Sequence, residues 1–425
     1  MRDILITLII FGLLPLSFKR PVIGVLLFTW VSLMNPHRLT YGFAYNFPFA
    51  AAIAGVTAIS LFTSKEPKRL PLTPVTVTLL VFMAWMTLTS FFALEPNLVW
   101  LEWNRVSKTL FMVIITIMVI NTEKNLKLLV WVVALSLGIF GLKGGLFTLA
   151  SGGNFRVYGP DGSYIAENNS MALALVTTLP LIWYLRLQMK NNWMVLGLTL
   201  MTAMTAVSAV GSYSRGALVG GVAMLFFLWC HSHKKVQTAV ILVAVVGLIM
   251  AVMPSAWFDR MNTIDEYRED GSALGRINAW KFAINIASNF PLGGGYNVFT
   301  PRMFRMYAPD PLDYHVAHSI WFQVLGDHGF IGLILFIMLM VFAWRTGTRV
   351  RKQCGQNPEL KWAADLSRMC QVCIIGYAVS GSFLSLAYFD LYYDIIIILV
   401  CLEKIVLPSK RLTPVRSAPL MQALR

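Results

Sequence analysis

Long apolar runs separated by short polar intervals dominate this chain. Runs of roughly 15 to 25 residues, about what a helix needs to cross a bilayer, occupy 4–18, 21–34, 47–63, 72–93, 106–121, 126–149, 170–187, 193–212, 216–230, 236–253, 318–344, 369–389 and 391–407. They predict an all-α polytopic membrane protein with about 12 transmembrane helices. Only Lys19, Arg20 and Pro21 part the first two runs, which read equally as two short spans, a hairpin or a broken helix.

One polar interval breaks the pattern. Residues 254–317 hold seven of the chain's 20 acidic residues, together with Arg260, Arg268, Arg276, Lys281, Arg302, Arg305 and His315. Ser272 is placed to cap a helix on which Ile277, Trp280, Ile284 and Ala287 recur at helical spacing until Pro291. This predicts an amphipathic helix lying against the membrane helices. The chain divides accordingly into transmembrane helices over 1–253, a loop subdomain over 254–317, further transmembrane helices over 318–407 and a disordered cytoplasmic tail over 408–425.

Composition supports the membrane reading. With 57% hydrophobic and 13% charged residues and a mean hydropathy of +0.66, the chain is too apolar for a soluble globule. The net charge of +15 sits in short clusters between apolar runs, which argues against a nucleic-acid partner and for contact with membrane lipids. Lys65, Lys68 and Arg69, then Lys124 and Lys127, Lys234 and Lys235, Arg345 through Lys361, and Lys410 through Arg425 mark cytoplasmic loops by the positive-inside rule. Residues 94–105, 150–169, 213–215 and 254–317 then face the opposite side. The first run lacks a small-residue cleavage site and reads as an anchor. Cys230, Cys354, Cys370, Cys373 and Cys401 imply no disulfide framework, and the Cys370/Cys373 spacing reads as buried small side chains.

Candidate chemistry gathers around the polar interval. His318 lies where the loop meets the next apolar run, and a helix N-terminus there favours the neutral imidazole of a general base. Arg215, in the short turn containing Tyr213 and Ser214, reads as an interface anchor or as a phosphate clamp, with Gly216, Gly220 and Gly221 allowing close helix packing beneath it. Arg276 sits near the positive end of the expected loop helix and calls for an anion, either Glu269 or Asp270 or a ligand. Glu167, Asn168 and Asn169, after a glycine-rich stretch, suit sugar or phosphate contacts or simply cap a helix. Gly293, Gly294 and Gly295 would bring amides to an anion or make a turn. His315 and His318 share a helical spacing but lack further ligands for zinc, and Asp265, Glu266, Glu269 and Asp270 have no nearby histidine. No metal and no cofactor are expected.

The order Ser214-Arg215-Gly216, Gly275-Arg276 with Trp280, Pro291 through Gly295, and His318-Ser319 followed by Gly326, Gly329 and Gly332 resembles the O-antigen ligase and polymerase superfamily. The opening segment through Asn35-Pro36-His37-Arg38 and Tyr41-Gly42-Phe43-Ala44 resembles its O-glycosylation ligase branch. The resemblance implies a polytopic glycosyltransferase of the GT-C-like class in the bacterial inner membrane, with short helices in a large periplasmic loop and an active site facing the periplasm. It implies an undecaprenyl-diphosphate-linked glycan as donor and a lipid A-core sugar hydroxyl as acceptor. By motif, His318 would be the general base and Arg215 with Arg276 would hold the donor diphosphate, with Glu167, Asn168, Asn169, Tyr213, Ser214, Gly294 and His315 as further contacts.

The shared motifs do not separate ligase from repeat-unit polymerase or protein O-oligosaccharyltransferase; length and loop size favour the ligase. A secondary transporter is the rival from another class. It would place polar groups at the bilayer midplane, where Lys143 is the main charged residue and has no evident acidic partner.

Overall fold

The computed structural model describes residues 1–230, 235–236, 247, 253–262 and 271–407. Most of the expected span 236–253, Lys234, the acidic cluster from Asp265 to Asp270, the Ser272 side chain and the tail 408–425 lie outside the described residues.

Nine helices, α1 Arg2–Lys19, α2 Pro21–Met34, α3 Phe49–Thr63, α4 Pro74–Phe91, α5 Pro96–Val119, α6 Glu123–Ala150, α7 Asn168–Gln188, α8 Asn192–Gly211 and α9 Arg215–Cys230, form the first part of the described chain. The loop region contributes α10 Ser255–Asn262, α11 Gly271–Asn289 and α12 Pro301–Tyr307. The chain then runs through α13 Ile320–Cys354, α14 Lys361–Gly381 and α15 Asp390–Val406. Local chemistry starts many of them: prolines occupy the first turn of α2, α4, α5 and α12, where their missing N–H costs nothing. Side-chain caps come from Thr73, Thr122, Asn191 and Thr300, each satisfying an amide the helix leaves open.

By length and composition α4, α6, α7, α8 and α13 can each cross a membrane, while α2, α3 and α9 are apolar but shorter. The fold is that of a multi-pass helical membrane protein. Arg20 alone separates α1 from α2, two helices packed on each other and on α3. Three boundaries differ from the sequence reading. Helix α5 begins at Pro96, so most of the expected loop 94–105 is helical, with Leu98, Val99, Trp100, Leu101 and Trp103 in its first turns. The run 369–389 is not one helix: α14 ends at Gly381, and residues 382–389 form a non-helical segment. Helix α13 extends to Cys354, so Arg345 through Lys352 lie on its last turns and not in a loop.

The connections sort into two ends. At one, Asn121 reaches Pro67 O, Arg69 N–H reaches Met118 O, Lys404 bonds Ile117 O, Lys127 lies over the Trp362 ring and Arg349 pairs with Glu403. This end gathers the basic clusters. At the other, Tyr45 meets Asp161 O, Tyr164 meets Glu102, Val157 N–H meets Gly211 O, Leu94 N–H meets Gly294 O, and Thr300 meets Glu95. Helices α4, α5, α13 and α15 run between the two. Close packing along them relies on small residues: Gly141 and Gly144 of α6 abut Thr205 and Ser208 of α8, leaving Lys143 exposed on the other face.

Helix α15 is buried from Asp390 to Glu403 and packs against α2, α4, α5, α6, α13 and α14. A helix hydrophobic all round belongs in a core, and α15 is the core of this bundle. Cys370, Cys373 and Cys401 are buried and free, as their apolar neighbours suggest.

Candidate active site

The loop region packs a small core of its own. Phe282 of α11 stacks on Phe304 of α12 with ring centroids 4.2 Å apart, and Phe299 meets Phe282 edge-on at 5.2 Å. The periodicity through Ile277, Trp280, Ile284 and Ala287 correctly marks a helix ending before Pro291, but only Ala287, buried, and Trp280, half-buried, of these four face protein. Ala279, Phe282, Ala283 and Ile286 are buried, whereas Ile277 and Ile284 are exposed. Apolar spacing cannot distinguish the face turned to protein from one turned outward when both are hydrophobic.

Helix α11 anchors the segment that leads to His318. Asn278, buried, donates to Asp310 O at 2.9 Å and Asp313 O at 2.8 Å, and accepts from Asp310 N–H. Trp280 Nε1 donates to Ala317 O at 2.9 Å while its ring stacks on Phe322, centroids 5.0 Å apart. Between these ties His315 pairs with Asp313 at 2.9 Å, and its ring lies so close to Gly275 that a Cβ there would overlap it. An asparagine inside an apolar helix was the available signal for Asn278.

His318 then adopts φ 44°, a left-handed conformation unusual for a non-glycine residue. Its N–H donates to Ser385 Oγ at 2.8 Å. The half-buried imidazole has its pKa lowered to about 4, first by burial and then by the charges of Arg276 and His315. The helix N-terminus expected from the sequence thus matters less than desolvation and the neighbouring guanidinium. His318 is neutral at neutral pH, and Arg276 and His315 are its electrostatic neighbours.

Arg215 begins α9 after Tyr213, whose φ is 61°. Its helix packs on α14: Gly216 approaches Phe383, with room of 3.0 Å for a Cβ, and Gly220 abuts Ser380. Gly221 has no such neighbour and takes no part in this packing. The segment 382–389 therefore touches both halves, reaching Arg215's first turn through Phe383 and His318 through Ser385. Sequence reasoning missed Ser385, although Ser380-Gly381-Ser382 interrupts the apolar run and signals the break.

Several expected contacts are committed to the fold. Tyr213, 6% exposed, donates its hydroxyl to Gly153 O at 2.6 Å, and Ser214 Oγ accepts from Ala217 N–H. Asn168 is buried and donates to Ser212 O at 2.7 Å. Gly294 N–H donates to Gly326 O at 2.8 Å and Gly294 O accepts from Leu94 N–H at 2.9 Å. The glycine triplet is a turn docked on α13, not an anion cradle. Glu167 is exposed and Asn169 half-buried at the start of α7.

Two polar residues that the sequence reading passed over are buried beneath this end. Asp327 accepts from the Tyr388 hydroxyl at 2.8 Å and from Gly295 N–H through its carbonyl, while His328 Nδ1 lies 2.7 Å from Thr89 Oγ1. They sit just before Gly329, where α13 breaks with φ 67° and ψ −171°. The docked turn presses on that break, Gly293 against Gly329. Among the described residues no three His, Cys, Asp or Glu side chains gather into a metal-binding group.

Residues 1–190 match a family of unknown function (DUF5935), and residues 200–337, which include Arg215, Arg276 and His318, match the O-antigen ligase family. No protein of curated function matches the chain. The match over residues 200–337 supports membership of the O-antigen ligase superfamily and a ligase- or polymerase-type glycosyltransferase function, a class that works in general on lipid-linked glycans.

Proposed function

We propose that the protein is an inverting, metal-independent glycosyltransferase that moves O-antigen glycan from undecaprenyl diphosphate to a sugar hydroxyl of the lipid A core. The observation that carries this reading is a neutral His318 beside Arg276. His318 takes the proton of the acceptor hydroxyl, whose oxygen forms the new bond to the anomeric carbon. The bond from that carbon to the diphosphate oxygen breaks, and the diphosphate leaves with the electron pair. Arg276 and Arg215 offset its charge, and attack opposite the leaving group inverts the anomeric configuration. His318 then returns its proton to water.

The low pKa of His318 fits this sequence of events. A base works best with a pKa near the working pH, and the charge of Arg276 is one cause of the depression. A diphosphate seated on Arg276 offsets that charge and makes the imidazole more basic once donor is bound. Base strength is thereby linked to occupancy.

The basic clusters lie at the end away from His318, which by the positive-inside rule supports a site facing the periplasm from the inner membrane. The test is transfer by purified protein from a polyprenyl-diphosphate glycan offered lipid A core, a second donor molecule or a protein acceptor in parallel. Glycosylated lipid A core, formed without added divalent metal, is the expected product. Glycan chain extension or protein glycosylation in its place would reassign the acceptor, and strict dependence on a divalent metal would overturn the mechanism.

A further inference from the structure

Outside the site described above, α2, α5 and α15 surround a cavity of about 10 Å³ lined by Thr29, Ser32, Thr109, Thr116, Asp390 and Asp394 and by the apolar Phe28, Met112 and Val113. That is room for one water-sized guest. Asp390 and Asp394 stand one helical turn apart on α15, and each is only 7% exposed. The Ser32 hydroxyl donates to Asp390 Oδ2. Thr109 faces the same carboxylate, yet Asp390 Oδ1 is buried and makes no hydrogen bond among the described residues.

An unpartnered carboxylate oxygen buried this deeply, with a second buried carboxylate one turn away, carries a large desolvation cost unless something offsets it. Arg105 is the one cation whose charge is felt at Asp390 among the groups acting on it. Glu102 acts on it with the opposite sign, so the carboxylates here outnumber the one guanidinium. The polar lining groups are hydroxyls and carboxylates, the preference of a hard cation, and among the described residues no third His, Cys, Asp or Glu joins the two carboxylates in a metal-binding group.

We propose that this cavity binds one dehydrated monovalent cation of sodium size, held by Asp390 Oδ1, Asp394 and the surrounding hydroxyls. Asp390 opens α15 directly after the segment 382–389 that carries Ser385. Occupancy therefore steadies the end of the bundle on which His318 is hung, without a part in the chemistry.

Thermal unfolding of the purified full chain in detergent, with sodium chloride exchanged for choline chloride at constant ionic strength, tests this directly. A ligand that binds only the folded state raises the midpoint saturably with its concentration, so the expected result is a sodium-specific rise that Asp394→Asn and Thr109→Val abolish. Binding of ²²Na⁺ to wild-type protein, displaced by unlabelled sodium and not by choline, at one site per chain, decides the matter if either variant fails to fold. Equal midpoints in both salts, or no displaceable ²²Na⁺, would overturn the proposal and leave a shared proton or a water as the occupant.

Discussion

The backbone N–H of His318 donates to Ser385 Oγ across 2.8 Å, tying the start of α13 to the segment between α14 and α15. The bond holds His318 in its left-handed conformation, φ 44°, which a histidine does not adopt without support. A single hydrogen bond contributes about 0.5–1.5 kcal/mol, so Ser385→Ala should slow transfer by roughly 3- to 10-fold, with donor binding little changed. Ser382→Ala, which removes the bond from Trp321 Nε1, is the control. Equal loss in the two variants would show that His318 does not depend on Ser385.

Gly275 has a different role, since its missing side chain makes room for the His315 ring. Gly275→Ala should displace His315 and lower transfer, whereas the same change in a His315→Ala background should cost little more than His315→Ala alone. Residues in contact commonly show coupling of about 0.5–3 kcal/mol. Simple additivity of the two changes in kcat/KM would count against the packing relationship.

Much of the helical content is legible in the sequence, because an apolar run near 20 residues long has few other uses and Pro21, Pro74, Pro96 and Pro301 mark where helices start. Arg215 and His318 stand out because charged and titratable groups are scarce where apolar runs begin, and Arg276 because a cation near a helix N-terminus calls for an anion. Ser385 and Asn278 do not, since each acts through a backbone group brought from elsewhere in the chain, 67 residues away for the Ser385 bond and 32 for the Asn278–Asp310 bond. Gly294 and Tyr213 look functional by position, yet folding uses their polar groups. Spacing reveals which residues are near one another on a helix, not which donors remain open.

The pH dependence of transfer follows from His318, whose pKa is lowered to about 4 by burial, then by Arg276 and His315. The imidazole is active when neutral, so kcat/KM of the free enzyme should hold from neutral pH downward and fall as pH drops through about 4. Arg276→Gln removes a depressing charge and should shift that acid limb upward in pH. Stability carries the same sign: below the ordinary histidine value of 6.5 the unfolded chain takes up a proton that the folded His318 refuses, so its contribution is full above 6.5 and is lost as pH falls toward 4. His37, half-buried and also lowered to about 4, acts in the same window. An acid limb unmoved in Arg276→Gln would detach the guanidinium from the titration.

His318→Ala should lower transfer by about 10²- to 10⁴-fold, the usual contribution of a general base, and should remove the acid limb with it. Retention of the polyprenyl-diphosphate donor, measured by binding to the purified variant, separates loss of the base from loss of the site. Wild-type turnover in this variant would exclude His318 as the base.

The break in α13 offers a stability test independent of catalysis. Gly329 holds φ 67° and ψ −171°, a region nearly confined to glycine, and a Cβ there would run into Pro291 O and lie 3.0 Å from Gly293 N. Backbone strain of this kind costs of order 1–3 kcal/mol, before the overlap is counted, and the overlap can be relieved only by lifting the Pro291–Gly295 turn. That turn is held by Gly294 N–H on Gly326 O and Gly295 N–H on Asp327 O, so lifting it exposes both carbonyls as well. Gly329→Ala should therefore melt well below wild type, whereas Gly55→Ala, in α3 with open space around it, should be neutral or gain up to about 1 kcal/mol. Because the turn joins α11 to the segment leading toward His318, transfer should fall with stability in Gly329→Ala and not in Gly55→Ala. A Gly329→Ala protein that melts and transfers like wild type would show that the break in α13 is not held by the docked turn.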